Sequence, residues 1–273
     1  MFYRLKKLLS INRNLIFVPK CASCDERLSP IPEKGNMTYD KVCFCRSCSE
    51  KWERAKTEMC PICYKTAANC TCAPAFFFKY QPTIPSLCFY HPESNDVQSK
   101  AIITMKRQNF TELFEFMAIE LYPSVNNLLK EMDISGEDCL FTFVPRTGPS
   151  MLKSGFDQGK QLSISLARLF KARSYPLFLR IGGREQKKLD KKSRKKNARR
   201  SIKLNRAMLR FSSRHSQKDI VEFVKGKSVV IIDDVLTSGS TLRQAVELLR
   251  SAGAQNTVVV TVAKTYGKNE KKK

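Results

Sequence analysis

The chain has 273 residues and a mass of 31.2 kDa, a size typical of one large domain or two ordinary ones. Its 49 Lys and Arg residues against 25 Asp and Glu residues give a formal net charge of +24, and 42% of the residues are hydrophobic. This composition argues against a fully disordered chain and favours an anionic partner, either a nucleic acid or a phosphate metabolite. No run reaches the roughly 18 apolar residues that a membrane-spanning helix requires.

The first 18 residues carry basic side chains among apolar ones, at Arg4, Lys6, Lys7 and Arg13. These charges interrupt the apolar centre that a signal peptide needs, so we expect a cytoplasmic protein. The same segment predicts an amphipathic helix, with a membrane-surface anchor as the alternative interpretation.

Nine of the 11 cysteines lie between Cys21 and Cys72. Eight of them form closely spaced pairs, and two thiolates in such a pair can turn inward from one tight knuckle onto one cation. Two knuckles complete a tetrahedral site, so the pattern predicts two structural Zn²⁺ ions that supply folding energy to a segment with a small core. Sequential pairing gives Cys21, Cys24, Cys45 and Cys48 for one ion, and Cys60, Cys63, Cys70 and Cys72 for the other.

Other interpretations of the cysteines stay open at this point. Disulfides would need an oxidising compartment, and iron–sulfur clusters use overlapping spacings. The knuckles could pair in an interleaved order, and Cys43 could replace Cys45. Cys88 and Cys139 stand alone in apolar surroundings, which predicts buried thiols.

A Pro-rich stretch at 81–85 predicts a connector that leaves the cysteine-rich segment. We therefore divide the chain into residues 1–80, with the N-terminal helix and the zinc module, and residues 81–273, a second domain.

Strands and helices alternate in the second domain. Apolar periodicity predicts strands at 87–90, 139–144, 227–235 and 257–263, and helices at 94–122, 161–170 and 241–251. Pro123 is expected to end the first helix, and Gly253 to cap the last one. The continuous apolar strands are typical of strands buried on both faces, so we predict an α/β fold with a parallel sheet between two layers of helices.

A strongly basic segment spans residues 180–214, with 15 Lys and Arg residues against two acidic ones and hence a net charge of +13. A solvated insertion, a nucleic-acid contact and a loop that orders around a pyrophosphate-type anion are the three interpretations. The segment lacks interleaved aromatic residues, which argues against a base-stacking platform. We favour the anion-binding loop.

The most informative motif follows the apolar run at 229–232. Two carboxylates, Asp233 and Asp234, come at the end of a predicted strand, at the sheet edge where open α/β folds bind ligands. A loop of small residues then leads into a helix, and its N–H groups suit a phosphate monoester. The loop residues are Thr237, Ser238, Gly239, Ser240 and Thr241. Because a ribose diol donates two hydrogen bonds to the carboxylates, a 5-phosphoribosyl group fits both halves, whereas a plain helix cap would explain one hydroxyl only.

This motif resembles the 5-phosphoribosyl 1-diphosphate (PRPP) signature of type I phosphoribosyltransferases. Together with the cysteine module it resembles the ComF family of competence-associated proteins. Further matches are Met105-Lys106, residues 143–147, residues 155–158 and residues 186–197.

The chain departs from the family at one stretch, which usually reads Arg-Gly-Phe-Asn-Gln. Ser154 stands in place of the Arg and Asp157 in place of the Asn. We expect the lost cation and the gained anion to weaken a polyphosphate site.

The resemblance implies a type I phosphoribosyltransferase-like domain in residues 81–273 and a part in DNA uptake during natural transformation. It assigns the ribose hydroxyls to Asp233 and Asp234, with or without Mg²⁺, and the neutralisation of pyrophosphate to Arg194, with Mg²⁺ assisting the departure of pyrophosphate. It implies contacts with the phosphate groups from the 237–241 loop residues named above and from Pro145, Arg146, Thr147 and Lys106. The reaction would be transfer of phosphoribosyl to an acceptor.

A non-catalytic factor is the alternative function. Such a factor would sense PRPP or a nucleotide and bind single-stranded DNA through its basic surface. Competence proteins of the helicase type are the candidate protein partners that the resemblance implies.

Overall fold

The computed structural model describes residues 20–28, 43–181, 201–207 and 219–266. The predicted N-terminal helix, Arg194 and most of the basic segment lie outside the described residues. Among the described residues, no helix combines the length and apolar character needed to cross a membrane.

A five-stranded parallel sheet forms the centre of the fold. The described residues form seven strands, five of which belong to this sheet: β1 (Cys88–Phe89), β2 (Leu140–Phe143), β3 (Arg173–Ser174), β4 (Phe178–Arg180), β5 (Ile202–Leu204), β6 (Ser228–Leu236) and β7 (Asn256–Lys264). The sheet order is β1-β7-β6-β2-β3, and every pairing in it is parallel. All four predicted strands are confirmed, with β1 at an edge of the sheet.

The predicted connector covers the edge of β7 beyond the two residues of β1. The side-chain amide of Gln81 is buried and pairs with Val259 of β7, accepting from its N at 2.6 Å and donating to its O at 2.9 Å. The N–H of Thr261 donates to the carbonyl of Pro85 at 3.0 Å. These bonds satisfy backbone groups that would otherwise be unpaired at a buried edge.

β4 and β5 form a separate antiparallel pair, which the sequence did not indicate. Arg180 lies opposite Ile202, and the N–H of Ile181 donates to the carbonyl of Ser201 at 3.0 Å. The two residues that flank the undescribed part of the basic segment are therefore side by side.

Helices cover both faces of the sheet. The helices of the described residues are α1 (Arg46–Lys56), α2 (Val97–Arg107), α3 (Thr111–Glu131), α4 (Gly148–Ser154), α5 (Gln158–Leu169), α6 (Ile220–Val224) and α7 (Ser240–Ser251), with 3₁₀ turns at Ala67–Asn69, Phe77–Lys79 and Gly136–Asp138. Side chains alternate along β6: Val230 and Ile232 share a core with α2, α3 and α5, whereas Val229 and Ile231 share one with α6 and α7. The predicted α/β fold is confirmed.

The prediction of one helix at 94–122 that stops at Pro123 is wrong. The chain is extended at Gln108, which separates α2 from α3, and α3 continues through Pro123 to Glu131. A proline removes one helical hydrogen bond. The buried face of α3 continues beyond it at Val125, Leu128 and Leu129, so apolar burial offsets that loss.

Gly253 ends α7 as predicted. It has φ = +85°, and its N–H donates to the carbonyl of Arg250 at 3.0 Å, while the N–H of Ala254 donates to that of Leu249 at 3.0 Å. This pair of bonds is a Schellman motif, which needs a left-handed residue at the position of Gly253.

The cysteine-rich segment packs directly on the sheet-bearing part of the chain. Phe44 and Trp52 of this segment contact the ring of Phe116 in α3, with ring centroids 5.4 and 5.8 Å away. The hydroxyl of Thr104 in α2 donates to the carbonyl of Ala22 at 2.8 Å. The segment therefore shares one hydrophobic core with α2 and α3, and the division at residue 80 stays a prediction.

Candidate functional site

The two predicted carboxylates lie in the part of β6 that extends beyond the end of its neighbour β2. The last residue of β2, Phe143, is opposite Ile232, and β6 continues to Leu236. Asp233 and Asp234 therefore stand at the carboxyl edge of the sheet, inside the strand.

Asp234 is buried, and each of its carboxylate oxygens accepts a hydrogen bond. Its Oδ1 accepts from the N–H of Val235 at 2.7 Å, and its Oδ2 accepts from Nε2 of Gln158 at 3.0 Å. The ammonium of Lys106 lies 3.6 Å from the same Oδ2. The structure thus brings Lys106, at the end of α2, together with the carboxylate pair and adds Gln158 at the start of α5.

Asp233 is partly exposed as a residue, but its carboxyl group is surrounded by protein and has a different environment from that of Asp234. Burial of its carboxyl group and the negative charge of Asp234 raise the pKa of Asp233 well above its usual range. The hydrogen bond from the N–H of Asp234 and the charges of Lys106 and Arg180 oppose this shift. A cation or hydrogen-bond donor bound at Asp233 would relieve the repulsion between the two carboxylates.

The hydroxylated loop lies between β6 and α7. Gly239 has φ = +68°, and a Cβ there would lie 2.8 Å from Cε2 of the buried Phe77. Only glycine meets both conditions without strain. Thr237, Ser238 and Ser240 are exposed, so their hydroxyls are available to a ligand at the N-terminus of α7.

A cavity of about 400 Å³ opens beside this loop. Its lining residues are Pro74, Phe76, Phe77, Ser238, Gly239, Ser240, Arg243, Gln244 and Glu247. The guanidinium of Arg243 stacks over Phe76, 4.7 Å from the ring centroid, and its Nε donates to Glu247 at 2.9 Å.

The predicted pyrophosphate turn, residues 145–147, is tied to two helices through Arg146. Its side chain donates from Nη1 to the carbonyl of Lys106 and to Oγ of Ser154, both at 2.9 Å. Its backbone N–H donates to Oδ2 of Asp157 at 2.9 Å, and Oδ1 of the same aspartate caps α5 by accepting from Lys160 N at 3.1 Å. Pro145 and Arg146 are partly exposed, and Thr147 is exposed.

The two departures from the family pattern therefore have structural partners. Ser154 accepts from Arg146, and Asp157 holds the turn against the start of α5. The backbone N–H groups of Arg146 and Lys160 donate to the buried carboxylate of Asp157, and these two hydrogen bonds stabilise its negative charge at this position.

The β4–β5 pair approaches the site through contacts that no motif indicated. The side chain of Gln244 in α7 accepts from Ser201 N at 2.8 Å and donates to the carbonyl of Ile202 at 2.8 Å. Ser201 Oγ accepts from Nη1 of Arg180 at 3.2 Å. Nε of Arg180 is buried and has no hydrogen-bond partner among the described residues.

The structure gathers the eight paired cysteines into two groups of four. They are Cys21, Cys24, Cys45 and Cys48, and Cys60, Cys63, Cys70 and Cys72, with all sulfur atoms of a group within 4.8 Å of one another. This grouping matches the sequential pairing. Cys43 is buried in the hydrophobic core outside both groups, as are the isolated Cys88 and Cys139.

The sulfur positions fit a tetrahedral metal site. Cys60 and Cys72 are 3.8 Å apart, and Cys63 and Cys70 are 3.6 Å apart. Zn–S bonds of about 2.3 Å in a tetrahedron put sulfur atoms about 3.8 Å apart. Burial opposes the thiolate of Cys63, but the N–H groups of Thr71 and Lys65 outweigh it and lower its pKa to about 6. Either group could therefore hold a metal ion.

Comparison with known proteins agrees with this architecture. A family model described as "Phosphoribosyl transferase domain" matches residues 187–273. Competence protein ComFC of Streptococcus pneumoniae is 22% identical over 248 residues, which cover 87% of this chain and 96% of that protein.

Two further matches are shorter or weaker. Transcriptional regulator GfcR 2 of Methanosarcina barkeri is 50% identical over 44 residues, which cover 16% of this chain and 22% of that protein. A solved structure of the allosteric regulatory enzyme of purine biosynthesis is 19% identical, covers 61% of this chain and 26% of that one, and has a TM-score of 0.33.

The parallel sheet, the segment from Asp233 to Thr241 and the family match define the class of protein: the chain contains a phosphoribosyltransferase domain. The chain is also similar over most of its length to a competence protein, and its two cysteine groups precede the matched domain.

Proposed function

We propose that this protein binds PRPP with Mg²⁺ at the carboxyl edge of the sheet and acts in DNA uptake during natural transformation. The observation that carries the proposal is the position of the carboxylate pair at the end of β6, directly before the hydroxylated loop, with the ammonium of Lys106 3.6 Å from Asp234. The resemblance to a competence protein supports the second part.

Each part of PRPP has a matching surface. Asp233 and Asp234 accept hydrogen bonds from the ribose hydroxyls, and the exposed hydroxyls and N–H groups of residues 237–241 bind the 5′-phosphate. The turn at 145–147 lies beside Lys106, whose ammonium attracts the pyrophosphate. Arg194, by its resemblance to the family loop, is a further pyrophosphate ligand.

Arg180 is an additional ligand that the sequence analysis missed. Its positive charge favours the ionised form of Asp233, and its buried Nε has a free donor among the described residues. A phosphate oxygen would satisfy that donor, because a guanidinium binds oxyanions through several N–H groups.

These residues support displacement at the anomeric carbon of ribose. The carboxylates orient the ribose and stabilise positive charge that develops on its ring, while the basic groups stabilise the departing pyrophosphate. Mg²⁺, an ion that prefers carboxylate and phosphate oxygens, would add positive charge at the leaving group.

The PRPP site can be tested by calorimetric titration of Mg²⁺–PRPP. We expect the wild type to bind and the Asp233→Asn/Asp234→Asn double variant to lose binding while staying folded. Asp219→Asn is the matched control, since Asp219 is exposed and its side chain makes no capping bond. Equal affinities in the wild type and the double variant would place PRPP elsewhere.

We also propose that each cysteine group holds one Zn²⁺, which stabilises the segment around it. The support is the tetrahedral fit of the sulfur atoms and the small apolar content of each knuckle. Elemental analysis of purified protein should find close to two zinc ions per chain, and a folded, reduced protein without metal would contradict the proposal.

A non-catalytic role in binding single-stranded DNA is the second candidate. The net charge of +13 in residues 180–214 favours it, as does the local match to a transcriptional regulator. Fluorescence anisotropy with a labelled oligonucleotide should show affinity falling steeply between about 50 and 200 mM salt. Absent or salt-insensitive binding would refute this role.

A further inference from the structure

Lys264, the last residue of β7, is a buried lysine to which the described part of the chain offers no acidic partner. It is 2% exposed, and its Nζ donates to the carbonyl of Ile84 at 3.0 Å and to that of Cys70 at 3.5 Å. Among the described residues, no carboxylate forms an ion pair with it. Lysines are almost never buried unless they are paired, because removing an ammonium ion from water is costly.

The carbonyl contact places the ammonium group beside the second cysteine group. Cys70 belongs to that group, and Cys60 and Cys70 are both buried. Four thiolates around one divalent cation carry a net charge of −2. With Cys63 and Cys72 partly exposed, the metal-loaded group is a half-buried anion, and a nearby positive charge stabilises such an anion.

The first cysteine group offers a comparison within the same chain. Cys24 is exposed and Cys45 is partly exposed, so water reaches this group. Among the described residues, no buried lysine contacts it. Each group has two buried cysteines, but the other two of the second group, Cys63 and Cys72, are only partly exposed, so solvent screens the charge of the second centre less than that of the first.

We propose that Lys264 is the counter-cation of the metal centre formed by Cys60, Cys63, Cys70 and Cys72. The inference rests on the zinc proposal above and is independent of PRPP binding. It makes metal binding and the stability of the sheet interdependent, because Lys264 is part of β7 and lies opposite Leu236 of β6. Loss of the metal would leave a lysine buried among carbonyl groups and apolar side chains in the strand next to the carboxylates.

The test compares zinc release from full-length variants to a chromophoric chelator. We expect Lys264→Met to release one of its two zinc ions at least about tenfold faster than the wild type, the lower range for loss of a group that supports metal ligands. Lys65→Met is the matched control, since Lys65 is an exposed lysine of the same knuckle, and it should behave like the wild type.

Further variants separate charge from packing. Lys264→Arg keeps the positive charge and should retain slow zinc release. Lys264→Gln can still donate to both carbonyls but is neutral, so it should release zinc as fast as Lys264→Met, and it serves as the neutral variant if Lys264→Met does not fold. Removal of zinc should lower the melting temperature of the wild type more than that of either neutral variant. Wild-type release in both neutral variants, or equally fast release in Lys264→Arg, would overturn the proposal. A wild type without zinc would overturn the zinc proposal with it.

Discussion

Replacing Asp157 with alanine should destabilise the protein by about 2–4 kcal/mol. Its Oδ1 caps α5 through Lys160 N, and loss of such a cap costs about 1 kcal/mol. Its Oδ2 accepts from the N–H of Arg146 in a site where Asp157 is only 7% exposed. Leaving that donor unpaired costs about 1–3 kcal/mol.

Asp157→Asn should be milder, at about 1–2 kcal/mol. The asparagine oxygen can accept one of the two bonds, but its amide nitrogen cannot accept the other. For a chain of this size, each kcal/mol corresponds to about 2–4 °C in melting temperature. Because Asp157 positions the turn at residues 145–147, PRPP affinity should fall in the same order.

Thermal unfolding and calorimetric titration of PRPP measure both effects. Asp219→Ala is the control, because Asp219 precedes a helix without a side-chain capping bond and should change stability by less than about 0.5 kcal/mol. The reasoning is refuted if Asp157→Ala is as stable as the wild type, or if the asparagine variant costs as much as the alanine variant.

Three other changes test the site. Gly239→Ala should lower the free energy of unfolding by about 1–3 kcal/mol and weaken PRPP binding, because the residue has a positive φ and an added methyl group would meet the buried ring of Phe77. In the control Gly148→Ala the added methyl group has open space, so the melting temperature should stay close to that of the wild type. Gln244→Ala removes the hydrogen bonds that hold β5 against α7, so it should lower stability by about 1–2 kcal/mol and reduce PRPP affinity. The control Gln255→Ala, at an exposed residue, should do neither, and equal effects of the two variants would argue against a role of the Gln244 hydrogen bonds. Since the pKa of Asp233 is raised, this carboxylate becomes protonated at a higher pH than an ordinary aspartate. Mg²⁺–PRPP affinity measured across pH should therefore fall early on acidification, and a profile identical to that of Asp233→Asn would contradict this.

Local patterns in the sequence predicted the central elements well. The apolar runs of β6 and β7 and the period of α7 follow from neighbours in the chain, as does the cap at Gly253. The cysteine grouping was also predicted, because two short knuckles close in sequence can reach one cation.

Short elements and one helix boundary could not be predicted. β4 and β5 have three residues each and gain their stability from pairing with each other. Pro123 has a strong local preference to end a helix, and the buried face that continues beyond it overrides that preference.

The sequence by itself was enough to predict the class of the domain, the carboxylate and loop motif, and the two groups of four cysteines. Each of these features consists of residues that are near one another in the chain. Only the tertiary structure paired Gln158 with Asp234, Gln244 with Ser201, and Lys264 with Cys70. The partners in these pairs are between 43 and 194 residues apart. Their contacts depend on how the helices and the cysteine knuckles pack on the sheet. A polar side chain that is buried by this packing needs a hydrogen-bond partner, and no local sequence pattern specifies which residue that partner is.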